Sequence, residues 1–199
     1  NKALAMGRGK AFTEANPSNG DIAVLQYTGG TTGVAKGAML THGNLVANML
    51  QVDACLSQLG PDGTPLMKQG QEIMIAPLPL YHIYAFTANC MCMMVSGNHN
   101  VLITNPRDIN GFVKELQRWQ FSAFLGLNTL FVALMAHPQF KKVDFSRLKG
   151  TNSGGTALVS AVAERWKAVT GCGSNRPCRP SGPVSARRSR WPAERAGSR

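Results

Sequence analysis

Between residues 21 and 168, short β-rich runs alternate with segments of helical spacing. No other feature of the chain constrains its fold as strongly. "DIAVLQY" (21–27) is rich in branched and aliphatic residues and runs into a glycine-rich stretch. "EIMIAPLP" (72–79) reads as a strand stopped by its prolines. "NVLI" (100–103), residues 122–125 and "RLKGTNSGG" (147–155) read as further strands, the last ending in glycines. Between them, Thr41 reads as the N-cap of a helix to about Ser57, and a helix is expected over 83–95. Asp108 or Asn110 caps "GFVKELQRW", and another helix is expected from Asn128 to Ala136. In residues 157–169, Val159, Val162, Ala163, Trp166 and Val169 recur at helical spacing. Strands alternating with helices predict an α/β fold with a largely parallel sheet of right-handed βαβ units. Binding loops then gather at the carboxyl ends of the strands.

Charge separates the chain into two parts. Residues 1–170 hold 14 Lys/Arg against 9 Asp/Glu, whereas residues 171–199 hold 7 Arg against Glu194 alone. More than half of the net charge of +11 therefore lies in the last 29 residues. That segment has four Pro, four Gly and five Ser without apolar periodicity, and it reads as a disordered tail. It would attract nucleic acid nonspecifically, but it has one aromatic, Trp191, and no reading module, so no specific nucleic-acid partner is expected. The five cysteines lack zinc-finger spacing, and no metal ligands are assigned. Their odd number, with no signal-like leader, suits a cytoplasmic protein. The longest apolar run, near residues 85–95, is far shorter than the roughly 18 residues of a membrane span.

The stretch "YTGGTTGVAKG" (27–37) packs four glycines, three threonines and one lysine into eleven residues. It holds too little apolar surface for core. Glycine lets backbone N–H groups converge on oxygen atoms, the threonines add hydroxyl donors, and Lys36 adds a point charge suited to phosphate. The ordinary P-loop spacing is absent, because Lys36 follows Ala35 and precedes Gly37. On these residues alone, a solvated glycine-rich surface loop is the competing reading. Extended to "YTGGTTGVAKGAMLTHGNL" (27–45), the order resembles the phosphate loop of adenylate-forming enzymes, and most of all the bacterial long-chain fatty-acid–CoA ligases. "PLPLYHIYAF" (77–86), "VLITNPRDI" (101–109), "FLGLNTLFVALM" (124–135), "DFSRLK" (144–149) and "SGGTAL" (153–158) resemble later segments of that branch, in order.

The resemblance implies the partial N-terminal AMP-binding domain of such an enzyme over residues 21–170. Residues 1–20 would be a linker or the remnant of a preceding segment. It implies ATP-dependent activation of a fatty acid to an acyl-adenylate, followed by thioester formation with coenzyme A, with Mg2+ as cofactor. Thr28, Gly30, Thr31, Thr32, Gly33 and Lys36 would hold phosphates, and Gly154, Gly155 and Thr156 would border the adenine. His82 would lie near the carboxylate, and Tyr81 and Phe86 near the acyl chain. Without the resemblance, His82 reads as a structural histidine, Phe86 as core, and residues 154–156 as a strand-to-helix turn. The same likeness implies peripheral contact at the inner membrane surface, and it leaves acyl length and oligomeric state open. Beyond residue 171 the family's tyrosine–glycine–x–threonine–glutamate motif, its ribose-binding aspartate and its adenylation lysine do not occur. The change of composition suggests translation out of the family's reading frame near Cys172, with a genuine basic tail as the alternative. With those motifs and the C-terminal domain missing, the chain as given is expected to be inactive as a ligase; a noncatalytic nucleotide-binding remnant, or nonspecific nucleic-acid binding through the basic tail, is the alternative.

Overall fold

The computed structural model describes residues 2–28, 36–59, 63, 65–154 and 159–172. A short helix, α1 (Lys2–Gly7), precedes an antiparallel hairpin of β1 (Ile22–Thr28) and β2 (Lys36–Thr41). Helix α2 (His42–Leu56) follows directly. Thr41 caps it as its sequence predicts. The Thr41 hydroxyl accepts from Asn44 N at 3.2 Å, and Asn44 Oδ1 accepts from Thr41 N at 3.1 Å.

The second unit is a parallel sheet of four strands in the order β4-β3-β5-β6. They are β3 (Ile73–Ala76), β4 (His99–Leu102), β5 (Ala123–Gly126) and β6 (Gly150–Ser153). Helices α5 (Ile109–Leu116), α6 (Asn128–Ala136) and α7 (Ser160–Thr170) connect or follow these strands, with a 3-10 turn at Pro138–Lys142. The α/β class read from the alternation is thus found. The hairpin is the departure, because the expectation of parallel pairing does not extend to β1.

Side-chain alternation along the strands builds two apolar layers. Ile75, Val101 and Phe124 point to one face and meet Phe112, Val113 and Leu116 of α5, Phe131 and Leu134 of α6, and Trp166 of α7. The Trp166 indole is fully buried and donates to Thr151 Oγ1 at 3.1 Å, so its one polar atom is satisfied. Met74, Ala123 and Leu125 point to the other face, against Tyr84, Ala88, Met93 and Leu56. The crossover from β3 to β4 therefore covers one face, and the later helices cover the other. The loops after β3 and β5 part at the carboxyl edge, where open α/β sheets place their ligands.

That first crossover is one helical run with an unusual centre. α3 (Ile83–Ala85) widens into a π-helix at Phe86–Cys92 and returns to α geometry in α4 (Met93–Val95). Two side-chain contacts favour the wide turn. The Thr87 hydroxyl donates to Ile83 O at 2.8 Å, competing with the helical amide. Asn100 of β4 donates to the backbone carbonyl of Asn89 at 2.8 Å and draws it from the ladder. Asn89 Nδ2 completes the pair by donating to Asn100 Oδ1 at 3.0 Å.

Candidate functional site

Thr28 and Lys36 are paired across the hairpin, so the glycine loop leaves and re-enters at one place. This geometry differs from a strand-to-helix P-loop. The stem is close-packed at Gly37, where an added Cβ would lie 3.2 Å from the Tyr27 ring. Lys36 is exposed at the loop's exit. Gly30, Thr31, Thr32 and Gly33 lie outside the described residues, and for Thr28 only the backbone is described.

His82 stands at the carboxyl end of β3, after the prolines that stop the strand. The His82 amide donates to Pro79 O at 3.0 Å, which closes the turn. Its ring caps the following helix, with Nδ1 accepting from Tyr84 N at 3.2 Å. With Nδ1 used as an acceptor, the neutral ring carries its proton on Nε2. His82 therefore offers an N–H donor from an exposed side chain.

Tyr84 connects this turn to the end of β6. An added Cβ on Gly154 would lie 2.6 Å from Tyr84 Cε1, so the ring rests where only glycine fits. Gly154 N donates to Gly126 O at 3.3 Å, which holds the β6 end to the β5 end. The Tyr84 hydroxyl is buried with no hydrogen-bond partner among the described residues. Burial pushes its pKa up to about 12, so it stays a neutral phenol. Gly155 and Thr156 lie outside the described residues. Tyr81 is 84% exposed. Phe86 is half-buried at the start of the π-helix and is outside both apolar clusters.

The hairpin and the turn also meet. Gln26 of β1 donates from Nε2 to Tyr81 O at 3.4 Å and to Tyr27 O at 3.3 Å. Residues 81–84 are therefore flanked by the glycine-loop hairpin on one side and by Gly154 on the other. The sequence reading named Lys36, His82 and Gly154 but missed Gln26 and Tyr84. An aromatic two residues after His82 was the available signal for Tyr84. No local signal marked Gln26.

The family model for AMP-binding enzymes matches residues 2–178. The chain belongs to the AMP-binding enzyme family. It is 52% identical over 151 residues to a long-chain-fatty-acid–CoA ligase of Escherichia coli O6:H1, covering 76% of this chain and 26% of that protein. It is 47% identical over 171 residues to a long-chain-fatty-acid–CoA ligase of Haemophilus influenzae, covering 86% of this chain and 30% of that protein. The fold is similar to that of apo MatB from Rhodopseudomonas palustris, with a TM-score of 0.68 and 23% identity over 87% of this chain and 32% of that one. The chain spans between a quarter and a third of the length of the curated relatives it matches. In this member of the AMP-binding family, the glycine-loop hairpin forms a two-stranded sheet of its own beside the four-stranded parallel sheet.

No group of three or more His, Cys, Asp or Glu among the described residues is placed to hold a metal ion. No helix among them is long and apolar enough to cross a membrane. Cys55, Cys90 and Cys92 are free thiols, and Cys172 is disulfide-bonded.

Proposed function

We propose that the chain is a segment of a long-chain fatty-acid–CoA ligase, with residues 21–170 forming part of its AMP-binding domain. The carrying observation is that the phosphate-loop hairpin, His82 and the Tyr84–Gly154 contact converge on one sheet edge. About 50% identity to long-chain-fatty-acid–CoA ligases over most of the chain supports the substrate class.

In this reading a fatty-acid carboxylate oxygen attacks the α-phosphorus of ATP. The bond to the bridging oxygen breaks, and pyrophosphate leaves with the electron pair. The product is a mixed anhydride, acyl-AMP. The sulfur of coenzyme A then attacks the acyl carbon, AMP leaves, and the thiol proton passes to solvent. Thr28, Gly30, Thr31, Thr32, Gly33 and Lys36 hold the β- and γ-phosphates, where a lysine supplies a compact charge. His82 Nε2–H donates to the carboxylate and orients its attacking oxygen. Gly154, Gly155 and Thr156 let the backbone approach adenine, and Tyr81 and Phe86 border the acyl chain.

The test is ATP binding to this chain by titration calorimetry, with pyrophosphate release on adding oleate measured in a chain that also carries the family's C-terminal region. Lys36→Ala is expected to weaken ATP binding by about 1.5–3 kcal/mol, the usual value for a hydrogen bond to a charged group. Equal ATP affinity in a folded Lys36→Ala variant would remove Lys36 from the site. Binding without pyrophosphate release would favour a nucleotide-binding remnant.

A further inference from the structure

Lys36 and His82 belong to different units. Lys36 starts the second strand of the hairpin, and His82 follows β3 of the parallel sheet. The hairpin is exposed along much of its apolar surface, with Ile22, Leu25 and Met39 all more than half accessible. Its apolar link to the sheet runs chiefly through α2, which follows it directly and packs against the π-helix and, by Leu56, against the sheet. Among the described residues, one hydrogen bond joins β1 or β2 to the chain from Pro65 onward: Gln26 Nε2 to Tyr81 O. It spans 55 residues of sequence and ends on the residue before His82. The same amide group donates to Tyr27 O, next to the loop. One primary amide has two N–H donors, and here they serve a carbonyl on each side of the gap.

We infer that Gln26 is a positioning residue that sets the phosphate-loop hairpin against the His82 turn. This identity of the two ends rests on the ligase reading above, whereas the tether itself does not. The geometry matters because the attacking oxygen and the phosphorus must meet within about 3–3.5 Å, and a misplacement of about 1 Å costs roughly a hundredfold in rate. The triphosphate is held from the hairpin and the carboxylate from the turn. Whatever fixes one unit on the other fixes that separation.

Hydrogen exchange of this chain, read by mass spectrometry, tests the tether without catalysis. Gln26→Glu keeps the shape but sets an acceptor against two carbonyls, and Gln26→Met keeps the length without a donor. The reporters are the amides of His82, Tyr84 and Phe86, which are bonded to Pro79 O, His82 Nδ1 and His82 O. In both variants they should exchange about three- to tenfold faster, while β3 and β5 keep their rates. Unchanged exchange at these amides in both variants would overturn the inference. So would a uniform acceleration that includes the sheet, which would show only a general loss of stability. Added ATP gives a second readout. It should extend protection from residues 27–41 to residues 82–86 in the parent chain, but not in the variants. No ATP protection in the parent would refute the nucleotide reading, and the ATP-free comparison would still decide the tether.

Discussion

Lys149→Met tests whether the amino end of the sheet is held by one buried ion pair. Glu72 is 1% exposed at the start of β3, and Lys149 reaches it from the residue before β6. Glu72 Oε1 accepts from Lys149 Nζ at 2.5 Å and from Lys68 N at 2.7 Å, whereas Oε2 is buried with no close partner among the described residues. Burial pushes the Glu72 carboxyl up, but the bonds from Lys149, Ser122 and Lys68 together outweigh it and hold the pKa below its ordinary value. Removing one partner of a buried pair costs about 3–5 kcal/mol, because the other charge is left uncompensated. The Lys149 side chain is 37% exposed, so water screens that end. The expected loss is thus about 2–3 kcal/mol, or roughly 5–10 °C in Tm. Urea denaturation from pH 4 to 8 measures it. The parent pair contributes fully above the unfolded-state pKa, and its contribution is lost as pH falls through the lowered folded-state value. In Lys149→Met the burial effect is opposed only by Ser122 and Lys68, and the carboxyl pKa rises. Folding then takes up a proton, and the deficit shrinks as pH falls. Adding Glu72→Gln should recover at least half the loss at pH 7. A loss below about 1 kcal/mol, or no recovery in the double variant, would refute the account.

Two further substitutions address the site. Gly154→Ala places a methyl 2.6 Å from the Tyr84 ring, and it should cost about 1–3 kcal/mol in urea denaturation. Pairing it with Tyr84→Leu should return part of that loss, and an unperturbed Gly154→Ala protein would show that the contact is not close-packed. In a chain that also carries the family's C-terminal region, Phe86→Ala should change the preference between medium and long acyl chains in pyrophosphate release, by up to about fourfold per methylene accommodated. Equal changes for every length together with lower stability would assign Phe86 to the core.

Elements with local causes were legible in the sequence. Thr41 and Asp108 cap their helices as their spacing predicts, because a cap depends on residues within one turn. Strand β2 was not legible. "KGAMLT" has weak strand propensity and is largely exposed, and pairing with β1 makes it a strand. The π-helix was read as an ordinary helix, since one of its causes, Asn100, lies on β4. Val159 was placed on the apolar stripe of α7, but it is 54% exposed and precedes the first turn. The composition changes at residue 171, and Cys172, 1% exposed, still belongs to the main core. Gly171 turns the chain there with φ of 73°, a left-handed conformation that glycine adopts without strain. At the candidate site, Lys36, His82 and Gly154 stood out by residue type. Gln26 did not, because its role arises only when Tyr81 is brought beside it.

The π-helix also limits which insertions and deletions this region tolerates. A π turn closes its hydrogen bond one residue later than an α turn. Losing one residue between Thr87 and Cys92 would let the run relax to a plain α-helix. The wide turn absorbs one extra residue, so the two ends of the run would keep nearly their present orientation, whereas a residue lost from a plain α-helix would rotate them by about 100°. Met93 anchors one end in the apolar layer under the sheet, while Tyr84 and the His82 turn occupy the other. A single-codon deletion there would keep the helix and its composition. It would also leave Tyr84 near Gly154 and His82 near the hairpin, whereas a second deletion would swing them away. This segment therefore tolerates the loss of one residue better than the loss of two.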